Sequence, residues 1–339
     1  MQGKILGYFL IAALDFSAVM GTVDHAHMAH AAAASTAPAA QMVTVEPGVQ
    51  LEVLDWGGPA HARALVFLAG LGDTAHVYDN FAPQFTAKYH VYGITRRGFG
   101  NSSKPEPTDA NYSADRLGED VVAAIDALKL DRPVLAGHSI AGEELSWIGN
   151  HDPKRVAGLI YLDADWAPGF YDTARGDNWI DMLDVRHRIE ALRAGAMYDT
   201  AYREGLIAAT DRLSSDLHTD AARFAALPNQ PAPPAPAPIP LAVLFGEEKF
   251  TGVQTAAMDI VACPHDMSPM FRGPLEHDVA AQKAMEADDF EHCMAQSTAF
   301  GAAMPWAPVV RIANGNHHVF VSNPETVTRA MNDFLAKLP

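Results

Sequence analysis

The sequence predicts an α/β protein built on a mostly parallel, doubly wound sheet, with a helical cap between strands 6 and 7. Three observations predict it. Short, continuously apolar runs alternate with segments of helical periodicity through the first half of the chain, the pattern of strands buried on both faces and joined by helices. Strand-like runs stop after Ala167 and resume beyond a proline-rich connector. The chain has 339 residues, 49% hydrophobic and 19% charged, enough for one large core plus a smaller accessory unit.

The elements follow in order. Met1–Gln2–Gly3–Lys4 and the apolar run Ile5 to Leu14 have the layout of a signal peptide, and Ala31 to Ala40 offers small-residue cleavage sites. Asp15 ends that run well short of the roughly 20 apolar residues that span a bilayer, so no stable membrane anchor is expected. Residues 1–40 are assigned to signal peptide and Ala-rich leader, with a mature start near 32–42 and a secreted or periplasmic location. Strands are predicted at Leu51–Leu54, Ala64–Leu68, Tyr89–Ile94, Pro133–Leu135 and Val156–Leu162. Between them Leu117, Val121, Ala124, Ile125 and Leu128 recur at helical spacing across Ala114 to Leu130. Residues 167–238 read as the cap, helices closed by the prolines of 231–240, which cannot pair inside a sheet and favour an extended conformation. A strand Leu241–Phe245, a helical insertion within 249–308, a last strand Pro308–Ile312 and a closing helix Pro324–Leu338 complete the chain. The core domain is thus expected over 41–166 and 239–339.

A net charge of -17 with no basic stripe repels phosphate backbones and excludes nucleic acid as a natural partner. The two cysteines, Cys263 and Cys293, suit one disulfide in an oxidising compartment or two core thiols in a reducing one, and spacing alone leaves both open. The histidines of Asp24–His30, His265–Asp266 and Glu276–Asp278 suggest metal ligands, yet no second ligand pair has firm spacing, so no metal and no cofactor are expected.

The chemistry concentrates at two loops. Gly137–His138–Ser139–Ile140–Ala141 lies between a strand and a helix, where a tight turn strains the serine backbone and demands small residues two before and two after it. Ala141 stands where a second glycine is usual, and Gly142 follows at once. After the last strand comes Asn314–Gly315–Asn316–His317–His318, and a loop histidine there is placed to take the serine proton. His317, seven residues before Pro324, is preferred over His318.

On these motifs the chain resembles serine hydrolases of the α/β-hydrolase fold from about Val43 to the C-terminus. Arg97–Gly98–Phe99–Gly100–Asn101–Ser102 resembles the family's R-G-x-G-x-S turn, and Leu68–Ala69–Gly70–Leu71–Gly72 takes the place of its H-G-x loop, with Ala69 where histidine is usual. The stretch GHSIAGEELS with IYLDA is also similar to a bacterial, esterase-like subset. The resemblance implies Ser139 as nucleophile, His317 as base and the backbone N–H groups of Leu71 and Ile140 as oxyanion hole. Its usual G-x-x-D acid is missing, because Gly246–Glu247–Glu248–Lys249 carries lysine there. Asp163, at the end of the preceding strand, is the favoured acid; Glu248 is the alternative, followed by Asp165 and Glu247. Glu143 and Glu144 read as complements to a helix dipole. Trp166 and Phe170, with Tyr171 and Trp179, are placed to line a substrate pocket under the cap.

The expected activity is cleavage of a small-molecule carboxylic ester through an acyl-enzyme, by a monomer or loose oligomer. An aminopeptidase, a carbon–carbon bond hydrolase or a perhydrolase shares the same triad. A catalytically silent ligand-binding protein is the rival from another class.

Overall fold

The computed structural model describes residues 37–106, 108–164, 185, 189, 200, 203–211, 214, 255–268, 271 and 277–339. Eight strands form one sheet: β1 (Ala39–Glu46), β2 (Val49–Gly57), β3 (Ala64–Leu68), β4 (His90–Ile94), β5 (Val134–His138), β6 (Gly158–Leu162), β7 (Ala257–Ala262) and β8 (Val309–Ile312). The order across the sheet is β1-β2-β4-β3-β5-β6-β7-β8. Only β2 runs against its neighbours; every pairing from β4 to β8 is parallel. Among the described residues, the helices of more than ten residues are α1 (Ala114–Ala127), α2 (Ala141–His151), α3 (Val279–Ala303) and α4 (Pro324–Leu335).

Period-two geometry divides the apolar strands between two cores. Val66, Leu68, Leu135, Leu159 and Tyr161 pack with Val121 and Ile125 of α1, Leu145 and Ile148 of α2 and Phe300 of α3. Their alternates Leu65, Phe67, Val134, Ala136, Ile160 and Leu162 face the other way, onto Tyr78, Phe81, Phe85, Phe320 and the Val327–Met331–Phe334 stripe of α4. That is why these strands read as unbroken apolar runs. Helix α1 starts where the sequence places it, with Ser113 capping through its hydroxyl, which accepts the Arg116 N–H at 3.2 Å.

Two strands differ from expectation. β1 begins at Ala39, inside the stretch assigned to the leader, and pairs antiparallel with β2. Between β6 and β8 the sheet places Ala257–Ala262, which pairs with both; the predicted strand Leu241–Phe245 lies outside the described residues. Asp259 sits fully buried in the middle of β7 and interrupts its apolar run, which hid the strand within the predicted helical insertion. α3 supplies the helix expected there. Residues 163–256 thus separate β6 from β7, where the cap was expected; apart from helical positions in 203–211, most of that span lies outside the described residues. No helix among the described residues is long and apolar enough to cross a membrane.

Candidate active site

Strand register brings the chemistry to one edge. His138 pairs with Leu162 across β5 and β6, Leu162 with Ile260 across β6 and β7, and Ala262 with Ile312 across β7 and β8. The residues just past those strand ends, Ser139, Asp163, His265 and His317, therefore meet at the carboxyl edge. This is also where the order reverses, since β3 lies between β4 and β5, and such switch points form the crevices of open α/β sheets.

Ser139 occupies the sharp turn between β5 and α2 with φ of 54°, a left-handed conformation costing an ordinary residue roughly 1–2 kcal/mol. Its small neighbours are enforced by packing. A Cβ on Gly142 would stand 2.1 Å from the Ala164 carbonyl oxygen, so the glycine that follows Ala141 is the one the β6 loop demands. A Cβ on Gly137 would stand 3.0 Å from the Ala141 methyl, so glycine at 137 is what gives that methyl its room.

His317 bridges the two sides. Its Nε2 is 2.8 Å from Ser139 Oγ and its Nδ1 2.7 Å from Asp163 Oδ2. Asp163 Oδ1 accepts the Ala262 N–H at 2.9 Å, so both carboxylate oxygens are engaged. His318 points elsewhere, with Nε2 2.9 Å from Asp73 Oδ2. Of the proposed acids, Asp163 meets the histidine; Glu247, Glu248 and Asp165 lie outside the described residues, as do Trp166, Phe170, Tyr171 and Trp179. Gly246 and Lys249, the pattern that puts lysine where the family usually has its acid, also lie outside the described residues.

Leu71 and Ile140 adjoin one another in a small apolar cluster with Tyr112 and Leu117. Among the described residues no backbone acceptor outside helices and strands takes either N–H. What holds that loop was not anticipated. Arg96 donates to the Ala69 carbonyl at 3.0 Å and the Gly70 carbonyl at 3.2 Å, and forks onto Glu144 at 2.7 and 2.9 Å. Glu144 lies in the first turn of α2, as a complement to the helix dipole would, and it is also buried and pins the guanidinium that grips the loop. His138, which precedes the nucleophile, donates Nε2–H to the His317 carbonyl at 2.9 Å, and its ring leaves room for nothing but glycine at position 70, where a Cβ would sit 2.6 Å from Nδ1. Burial, reinforced by His318 and His317, pushes the His138 pKa well below the usual imidazole value, so the ring is neutral.

The acid side extends further. His265 Nε2 is 2.9 Å from Asp163 Oδ2, and its Nδ1 is 2.8 Å from Asp289 Oδ1 on α3. Burial opposes charge on His265, but Asp163 and then Asp289 outweigh it and push the pKa up to about 10. Burial likewise opposes ionisation of Asp163, and the His265 charge with the two imidazole hydrogen bonds holds it below the usual carboxylate range. Next to this cluster Cys263 and Cys293 form a disulfide, with Cα atoms 5.5 Å apart. Two groups of three side chains bring donor atoms within 4.8 Å of one another, Asp73–His138–His318 and Asp163–His265–His317. In both, the shortest contacts have the geometry of imidazole–carboxylate hydrogen bonds.

The chain is similar to known proteins over part of its length. A 3-oxoadipate enol-lactonase of Acinetobacter baylyi is 34% identical over 103 residues, 30% of this chain and 38% of that protein. An epoxide hydrolase of Mycobacterium tuberculosis is 34% identical over 103 residues, 30% of this chain and 31% of that protein. The chain thus spans less than two fifths of the length of either relative. The solved structure of a bromoperoxidase from Bacillus anthracis superposes with a TM-score of 0.56 over 88% of this chain and 100% of that one, at 17% identity, a likeness of fold alone. A model of the alpha/beta hydrolase family matches residues 65–330, most of the sheet and every loop described above, and the chain belongs to that family.

Proposed function

We propose that the protein is a serine hydrolase that cleaves a small-molecule carboxylic ester through an acyl-enzyme on Ser139. The observation that carries this reading is the unbroken hydrogen-bonded path from Ser139 Oγ through His317 to Asp163, at 2.8 and 2.7 Å. In the first half-reaction Ser139 Oγ attacks the ester carbonyl carbon while its proton passes to His317 Nε2. The carbonyl oxygen becomes an oxyanion facing the Leu71 and Ile140 N–H groups, and Asp163 stabilises the imidazolium at His317. His317 then gives its proton to the departing alcohol. Water, activated by the same histidine, releases the acid and restores Ser139. The contact between Asp163 and His317 favours this over a silent ligand-binding protein, whose main support was a missing acid.

The test is covalent labelling with a fluorophosphonate alongside hydrolysis of nitrophenyl esters from acetate to long acyl chains. Labelling at Ser139, lost in Ser139→Ala together with a fall in kcat of about 10⁴-fold or more, is expected. Folded protein that resists labelling and turns over no ester refutes the reading. We further infer export to an oxidising compartment, supported by the signal-peptide layout and by the Cys263–Cys293 disulfide. N-terminal sequencing of protein recovered outside the cytoplasm should begin after the Ala-rich leader; an intact Met1 overturns it.

A further inference from the structure

The path of hydrogen bonds does not stop at Asp163. His265 stands between two carboxylates, with Nε2 2.9 Å from Asp163 Oδ2 and Nδ1 2.8 Å from Asp289 Oδ1. Its own backbone N–H donates to the second Asp289 oxygen at 2.7 Å. Ionised carboxylates only accept hydrogen bonds, so an imidazole with both nitrogens against such oxygens carries both protons. The three charges, minus, plus and minus, sum to minus one. That is the charge a lone acid would present to His317. Asp163 paired with His265 alone would present none.

We propose that Asp163, His265 and Asp289 act as one buried anion, in which His265 is a positioning residue that fixes Asp163 against His317 and Asp289 restores the negative charge that His265 cancels. The proposal rests on the Ser139–His317–Asp163 reading above.

Three features support it. Asp163 is 5% exposed and Asp289 2%, so their charges act through a poorly screened interior. Among the described residues, groups from three separate elements face His265: Asp163 from the end of β6, Asp289 from α3, and His317 from the loop after β8, its ring centroid 6.5 Å away. The pair is also fastened covalently. Cys263 lies two residues before His265 and Cys293 one helical turn after Asp289, so their disulfide ties the end of β7 to α3 at this point. The pKa of His265, pushed up to about 10, agrees with the imidazolium that the contacts require.

The consequence appears when Ser139 transfers its proton. The imidazolium formed at His317 is stabilised by the net charge beside it, so neutralising Asp289 lowers the proton affinity of His317 and removing the His265 cation raises it. A merely structural pair changes stability and leaves that affinity alone.

The first measurement is side-chain NMR on the full-length wild-type protein carrying ¹⁵N-histidine, with the His265 signals identified by their loss in His265→Gln. Both ring nitrogens protonated at pH 8 is the expected result, and a neutral tautomer there overturns the proposal. The second is the pH dependence of kcat/KM on a nitrophenyl ester. Asp289→Asn should move the acid limb down by about one pH unit and cut kcat about tenfold with KM changed less than about twofold, while Asp289→Glu restores most of it. His265→Gln should move the limb upward. Limbs that stay put, or move the same way in both variants, overturn the proposal if Ser139 still labels with fluorophosphonate. If wild-type Ser139 does not label, it is the triad reading that fails, and the NMR result stands apart from it.

Discussion

The two sides of His317 are built on different principles. On the nucleophile side, Ser139 is held by its own neighbours: a five-residue strand, a strained turn and a helix contiguous with it, with Gly137 and Gly142 where side chains would collide. On the acid side, Asp163, His265 and Asp289 come from β6, β7 and α3, up to 126 positions apart in numbering, and are held by ion pairs and a disulfide. The acid side exists only if the sheet is assembled in one register, because a shift of β7 against β6 would carry His265 away from Asp163. The lesson is that a strained serine can be encoded in five letters, whereas a carboxylate's electrostatic setting is encoded in the packing of distant segments.

The largest effect that would break this contrast is expected at Asp163. Asp163→Asn should lower kcat by about 10⁴-fold on a nitrophenyl ester, through loss of the charge that orients and stabilises His317, with Glu248→Gln close to wild type. A near-normal Asp163→Asn together with a collapsed Glu248→Gln would move the acid to the other loop. Next comes the buried pair that grips the oxyanion loop. Arg96→Met leaves Glu144 buried without its cation and should cost about 3–5 kcal/mol in denaturant unfolding, whereas Arg96→Met with Glu144→Leu should recover much of it. If the single variant is no less stable than the double, Glu144 does not depend on Arg96.

The disulfide sharpens the comparison on the other side. Opening a loop whose ends are 30 residues apart, with Cys263→Ser and Cys293→Ser, should lower stability by roughly 3–4 kcal/mol on the chain-entropy account. Because the bond sits beside His265 and Asp289, ester turnover should fall more than Ser139 labelling does. The smallest effect is on pH dependence. His265 binds its proton more tightly folded than unfolded, so its stabilising contribution is complete below its ordinary value of 6.5 and is lost as pH rises through about 10. Thermal unfolding should therefore show Tm falling across that window, and His265→Gln should flatten the fall. An unchanged slope in that variant would show that another group titrates there.

Much of the fold was legible because strands buried on both faces leave an unbroken apolar signature, and helix α1 announced itself by the spacing of its apolar residues. β7 was not legible, since buried Asp259 splits its apolar run while Leu241–Phe245 offers a cleaner one elsewhere. The cleaner run drew the usual acid position to Gly246–Lys249 and hid His265, which follows the end of β7 at Ala262. Arg96 and Glu144 were passed over for a related reason: an arginine beside an R-G turn and a glutamate at a helix start each have a satisfactory surface role, and only burial distinguishes the two cases.

What the amino-acid sequence determined by itself was the α/β architecture, the strained turn that presents Ser139, and the loop that carries His317, because each depends on periodicity or on backbone sterics within a few residues. Only the tertiary structure decided that His317 rather than His318 faces the serine, that Asp163 faces His317, and that His265 and Asp289 stand behind it. Those choices depend on the register of parallel strands and on charge pairing across a buried interior, and neither leaves a trace in the spacing of letters along the chain.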